Sequence, residues 1–330
     1  MLPEPANDTP AKPRDGTGAG QRRRNCGALP VHLERVEEVL DLTDQGCPCC
    51  GVAMRRIGED RSERLDVVPA QLRVRVTIRP RYACRRCEEG VHQAPAPARA
   101  IPGGLPTEAL LAQVLVAKYG DGLPLYRQAA ILQRQGIHLD RSTLCDWVAK
   151  ACWWLRPLHG LILAHVTSHA RVFADDTPLP TLERERGRTR DGRIWAYAVD
   201  DRVCGGTGPP AVAYLYAPDR KGIRYGLRHW VGLERFLTDG RLELDTNIVE
   251  QEIRPVAVTR KAALFAGSEG GGETWAIATT LIRTAVLNSL DPQAWLRDAL
   301  ERMVSGGVRS TQIATLLPWN WRQASLAAAA

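Results

Sequence analysis

The sequence predicts an α+β chain in which small β units alternate with helical regions. Three observations carry this. Cys47, Cys50, Cys84 and Cys87 fall into two Cys-x-x-Cys pairs that enclose strand-like sequence. Arg171 to Pro178, Ile194 to Val199 and Val212 to Tyr216 are short apolar runs in series, separated by polar, Gly-rich connections, as strands are. Stretches rich in Leu, Ala and Val with helical periodicity stand before and after them.

The chain has 330 residues, a length that suits about two domains. Hydrophobic residues make up 44% and charged residues 25%, an ordinary globular composition. The net charge of +7 is compatible with a nucleic-acid partner without requiring one. No apolar run approaches the roughly 20 residues of a membrane helix, and the start of the chain lacks an apolar leader. A cytoplasmic protein without a membrane partner is expected. Nine cysteines, four of them in close pairs, point to a metal site in a reducing compartment more than to a disulfide framework.

In order, residues 1–25 read as a disordered basic tail with Arg22, Arg23 and Arg24. Residues 26–93 read as a ribbon-type metal domain. Four thiolates at this spacing suit tetrahedral Zn²⁺ and leave no open position, so the ion is structural and Cys49 is the spare. Between the pairs, Leu72, Val74, Val76 and Ile78 alternate with Arg73, Arg75, Thr77 and Arg79, the pattern of a strand with one apolar and one basic face. That basic face suits DNA phosphates and suits solvent equally.

Residues 94–104 read as a proline-stiffened linker. In residues 105–170, Thr107 caps a helix that ends near Gly120, a second follows Pro124 and stops at Gly136, and a third starts at Ser142. The last two form either a helix-turn-helix or a plain helical hairpin, with Trp147, Trp153 and Trp154 in the core.

Residues 171–268 open with Asp175 and Asp176 at the end of a strand. Carboxylates in such a place can hold Mg²⁺, although many loops carry an Asp-Asp pair. Three strands in series, the first ending in an acid, are how an RNase H-like domain begins. Within Asp245 to Ser268, Asp245 and Thr246 can cap a helix, and Glu250 and Arg254 share one face, as an ordinary ion pair also would. Pro255 is expected to end or kink that helix. Arg260 and Lys261 follow. Residues 269–330 start with Ser-Glu-Gly-Gly-Gly-Glu, expected as a flexible turn, and continue as helices. Asp291-Pro292 opens one with Trp295, Leu296, Ala299, Leu300 and Met303 on one side.

The Asp245 to Ser268 stretch resembles the last acidic motif of the insertion sequence 66 transposase family, D-N-N-x-x-E-R-x-x-R-P followed by R-K and Phe-Ala-Gly-Ser. Thr246, Gln251 and Glu252 depart from the motif or flank its key acid. The resemblance extends to the cysteine pairs, R-I-G-E-D-R-S-E-R-L-D-V-V-P-A, K-Y-G-D-G-L-P-L-Y-R-Q, A-D-D-T-P, L-N-S-L-D-P-Q-A-W-L and L-L-P-W-N-W. It implies a DDE enzyme that joins DNA strands at terminal inverted repeats of double-stranded transposon DNA, using Mg²⁺, and acting as a possible oligomer. It maps the first catalytic acid onto Asp175 and the last onto Glu250. Arg73, Arg75, Arg79, Arg254, Arg260 and Lys261 are the candidate DNA contacts.

The family's middle acid finds no counterpart. Ala217-Pro-Asp219-Arg-Lys221 runs almost directly into Ile223-Arg-Tyr-Gly-Leu, so an internal deletion near Lys221 and Gly222 is expected. A helical N-terminal segment of relatives is also expected to be missing. The RNase H-like domain would then be incomplete, its first strand left with an exposed edge. A non-catalytic DNA-binding protein or inhibitor, or a decayed remnant, is the alternative to an active transposase.

The purified chain is expected to carry one Zn²⁺ on Cys47, Cys50, Cys84 and Cys87. Cys84→Ser should unfold the ribbon, because structural zinc contributes folding free energy. Metal analysis checks this, and a zinc-free wild type would exclude the site.

Overall fold

The computed structural model describes residues 37, 49, 72–83, 91–183, 185–202, 205–218 and 247–321. The basic tail, the four paired cysteines, Asp245, Thr246 and the stretch around Lys221 and Gly222 lie outside the described residues. The chain divides into two compact units, Met1–Ile78 and Arg79–Ala330.

In the first unit, residues 72–78 form no strand, which corrects the expected ladder there. Leu72, Val74, Val76 and Ile78 are all exposed, Val74 by 90%. Alternation alone gives a segment two faces; it supplies no partner for the backbone.

The second unit opens with a short antiparallel hairpin, β1 (Arg81–Ala83) and β2 (Val91–Gln93). The Arg79 guanidinium donates to Ala94 O, and Gln93 Nε2 donates to Arg79 O at 2.8 Å, fastening its base. The proline-rich segment ends inside the fold instead of running free. Ala100 and Ile101 are buried, and Trp154 Nε1 donates to Ala100 O at 2.9 Å.

Helices α1 (Glu108–Tyr119), α2 (Leu125–Arg134) and α3 (Arg141–Ser168) follow. Thr107 caps α1 by accepting from Leu110 N, and Gly136 takes the left-handed φ of +80° that closes α2. In α3 the buried stripe runs through Leu144, Trp147, Val148, Ala151, Leu155, Leu158, Ile162 and Val166. Trp147 is core as expected; Trp153 is not, being 66% exposed on the opposite side.

Strands β3 (Phe173–Glu183), β4 (Arg188–Val199) and β5 (Ala211–Ala217) make an antiparallel sheet in the order β3-β4-β5. Helices α4 (Asn247–Ala263), α5 (Glu269–Leu287) and α6 (Pro292–Val304) and a 3₁₀ turn (Ser310–Leu316) complete the described fold. No helix among the described residues is long and apolar enough to cross a membrane.

Two expectations about these helices are corrected. Helix α4 continues through Pro255. The hydrogen bond that proline removes would have gone to the carbonyl of Gln251, an exposed residue, while Val249, Val256 and Thr259 hold the helix from its buried side. Ser-Glu-Gly-Gly-Gly-Glu is the first turn and more of α5, not a flexible turn. Ser268 caps it by accepting from Gly271 N at 3.1 Å. A Cβ on Gly272 would stand 2.4 Å from the Tyr216 ring, so glycine lets helix and sheet touch.

Both edges of the sheet are finished by other elements. On β5, Tyr214 N–H donates to Thr280 Oγ1 at 2.8 Å and Val212 N–H donates to Thr284 Oγ1 at 3.3 Å. Thr284 Oγ1 donates back to Val212 O, and Asn288 Nδ2 donates to Pro210 O, both at 2.9 Å. From α3, His159 Nε2 donates to Tyr214 O at 2.9 Å. Side chains thus do what a fourth strand would do.

The outer edge of β3 is not wholly open, which corrects the expectation of a bare edge. Ala266 N donates to Pro180 O and Leu182 N donates to Ala266 O, each at 2.8 Å, a parallel bridge built by the segment after α4. The Arg260 guanidinium donates to Thr177 Oγ1 and Pro178 O one step along.

Thr280→Val removes the acceptor for the buried Tyr214 N–H. The expected cost is about 1–3 kcal/mol of stability, read as a lower urea midpoint with an unchanged slope.

Candidate active site

Asp175 pairs in register with Ala196 on β4, and Ala196 with Tyr214 on β5. Residues directly opposite across a ladder share a face, so Asp175, Ala196 and Tyr214 point to the same side of the sheet. The Tyr214 hydroxyl donates to the carbonyl of Glu252 at 2.6 Å, which identifies that side as the one carrying α4. Burial pushes the Tyr214 hydroxyl well above its ordinary pKa, so it stays a donor.

Helix α4 buries Val249, Glu252, Val256 and Thr259, one helical stripe. Glu252 is only 4% exposed and meets Arg283 of α5 bidentately, at 2.8 and 2.9 Å. This hydrogen-bonded pairing raises the Arg283 pKa. Glu250, two residues earlier, sits in the exposed part of the first turn of α4. The fold therefore carries both mapped acids on the same face of the sheet, Asp175 half-buried on β3 and Glu250 on the helix across it. The Asp176 backbone N–H donates to Asp175 Oδ1 at 2.7 Å.

Three other acids near the strands, Asp176, Asp200 and Asp201, are each held by an arginine. Asp176, on the opposite face of β3, pairs with Arg193. Asp200 takes two bonds from Arg202, at 2.8 and 2.6 Å, and this pairing lowers its pKa. Asp201 pairs with Arg171 at 2.8 Å. Among the described residues no group of three or more His, Cys, Asp or Glu could hold a metal ion. Asp175 and Glu250 alone do not fit a two-ion Mg²⁺ site, which needs about three well-placed carboxylates.

The basic candidates divide. Arg73 and Arg75 are exposed in the first unit, and Arg254 and Lys261 are exposed on α4. Arg79 and Arg260 are engaged with main-chain oxygens of the hairpin and of β3.

The sequence reading missed Glu252, Arg283 and Tyr214, which fix the helix that carries Glu250. The signal was present: Glu252 lies three residues after Val249 and four before Val256, an acid inside an apolar stripe. Glu252→Leu leaves the Arg283 charge partly buried without its partner and should cost about 3–5 kcal/mol. The double variant Glu252→Leu/Arg283→Met should recover most of that loss in urea denaturation.

The family model described as Transposase IS66 family matches residues 103–223 and 220–274. That of the zinc-finger binding domain of transposase IS66 matches residues 44–88, enclosing all four paired cysteines. The IS66 C-terminal element matches residues 280–319. The chain is similar to Uncharacterized protein y4jD of Sinorhizobium fredii (strain NBRC 101917 / NGR234), at 37% identity over 427 residues, covering 92% of this chain and 84% of that protein. Uncharacterized protein y4qI of the same organism is 37% identical over 415 residues, covering 88% and 76%. No solved structure matches the chain. With a transposase model spanning more than half its length and zinc-finger and C-terminal models on either side, the chain belongs to the IS66 transposase family.

Proposed function

We propose that this chain binds double-stranded DNA at transposon ends and does not itself cut or join strands. The observation that carries the reading is the ligand count. Among the described residues two carboxylates, Asp175 and Glu250, stand where the two-metal mechanism of DNA strand transfer needs about three. Among the described residues, Asp176, Asp200 and Asp201 near the strands are each tied to an arginine. A carboxylate shared with a guanidinium is a poor ligand for a second cation.

The missing acid has an origin that the comparisons support. The transposase model matches in two pieces that meet at residues 220–223. The alignment to y4jD runs over 427 residues against a chain of 330. Both features agree with an internal deletion near Lys221 and Gly222. The order β3-β4-β5, with Asp175 in the first strand, agrees with the start of an RNase H-like domain.

The paired cysteines supply the donor set of a structural Zn²⁺ site, and the exposed Arg73, Arg75, Arg254 and Lys261 supply cations for phosphates. A chain that keeps its DNA contacts and lacks cutting chemistry would occupy terminal inverted repeats and inhibit transposition.

Two measurements test this. Binding to duplex ends should weaken steeply with salt, because neutralised phosphates release counterions, and Arg73→Ala with Arg75→Ala should weaken it for all sequences alike. Salt-independent or undetectable binding would leave a decayed remnant as the reading. A supercoiled plasmid bearing the ends, with Mg²⁺ or Mn²⁺, should stay uncut. End-specific nicks that vanish in Asp175→Ala would show a working active site and overturn the proposal.

A further inference from the structure

His165 and His169 stand one turn apart at the C-terminal end of α3, where the DNA reading makes no use of them. Their ring centroids are 4.6 Å apart at an interplanar angle of 74°. Trp319 lies with its ring 4.6 Å from that of His165. Each imidazole makes one hydrogen bond to a main-chain carbonyl. His165 Nε2 donates to Pro209 O at 3.3 Å, and His169 Nδ1 donates to His165 O at 2.8 Å.

A carbonyl oxygen only accepts, so these bonds fix both tautomers. The proton is on Nε2 of His165 and on Nδ1 of His169. The lone pairs are therefore on Nδ1 of His165 and Nε2 of His169. Burial lowers the His165 pKa and keeps that ring neutral. Giving the other ring N–H to a carbonyl is how metal-ligating imidazoles are commonly oriented. The end of a helix adds the partial negative charge of its last carbonyls, which favours a cation. Gly208 lies beside His169 Nε2: a Cβ there would be 3.9 Å away, in ordinary contact.

We propose that His165 and His169 form a two-imidazole site for a divalent transition cation of the Ni²⁺, Cu²⁺ or Zn²⁺ class, water completing its coordination. Imidazole nitrogen selects these ions over Mg²⁺ and Ca²⁺, which take oxygen. With no third described His, Cys, Asp or Glu beside the pair, the ion is exchangeable and not a closed structural centre. The site is separate from the thiolate ribbon and from Asp175 and Glu250, and it does not depend on the proposed DNA function.

The test uses the full chain with its structural zinc in place. Ni²⁺ is titrated by calorimetry, and Cu²⁺ is followed by quenching of tryptophan fluorescence. One Ni²⁺ per chain is expected beyond the zinc, with binding about tenfold or more weaker in His165→Gln and in His169→Gln. Trp319→Phe should keep the Ni²⁺ affinity and lose part of the Cu²⁺ quenching. Far-UV circular dichroism of each variant separates loss of the site from loss of the fold. Equal Ni²⁺ affinity in folded wild type and both histidine variants, or no ion beyond the zinc, would overturn the proposal.

Discussion

A three-stranded sheet has two edges, and every backbone group on those edges must find a partner or face water. That requirement organises the second unit of this chain. On β5 the partners are Thr280, Thr284 and Asn288, one turn apart along α5, with His159 of α3. The spacing of four residues on a helix rises about 6 Å, close to the span of two residues along a strand, about 6.6 Å. One helix can therefore serve alternate residues of an adjacent strand edge. Position and direction of α5 follow from that match, and Gly272 lets it close against Tyr216 at the other end.

The placement of α4 depends on α5 in turn. Arg283 is one residue from Thr284 and reaches the other way, to Glu252. The Tyr214 hydroxyl secures the same turn of α4 while its backbone is held by Thr280. Strand, sealing helix and acid-bearing helix thus meet around Tyr214. Glu250 is on the Asp175 side of the sheet because Glu252 is not free to turn away.

Much of this was legible in the sequence. Thr107, Gly136 and Asp291-Pro292 marked helix ends by local chemistry, and the structure puts helix ends there. The three strands were readable because apolar runs bounded by glycine have few other uses. What failed were inferences in which a local signal met a tertiary partner. Pro255 predicts a break only where the lost hydrogen bond is the deciding term, and the buried stripe of α4 outweighs it. Three consecutive glycines promise flexibility until an aromatic ring, Tyr216, closes on one of them, Gly272. The stripe Thr280, Thr284, Asn288 in an apolar helix was visible, yet its meaning needs an unpaired strand edge beside it. Of the candidate site, Asp175 and Glu250 were named from a motif, whereas Glu252 and Arg283 carry no motif and are recognised only by burial.

The α5 groups that satisfy β5 are encoded 66 to 78 residues after the strand they serve. On the ribosome, β3, β4 and β5 emerge long before α5 does. Through that interval the β5 edge has His159 but none of its α5 partners, and the segment that bridges β3 at Ala266 is also still to come. The sheet of this protein is thus a late-folding unit: a nascent chain released before Ala266 would hold three strands with β3 unbridged and the β5 edge without its α5 partners, a target for chaperones or for pairing with its own copies. Helices α1 to α3, with their local contacts, need not wait.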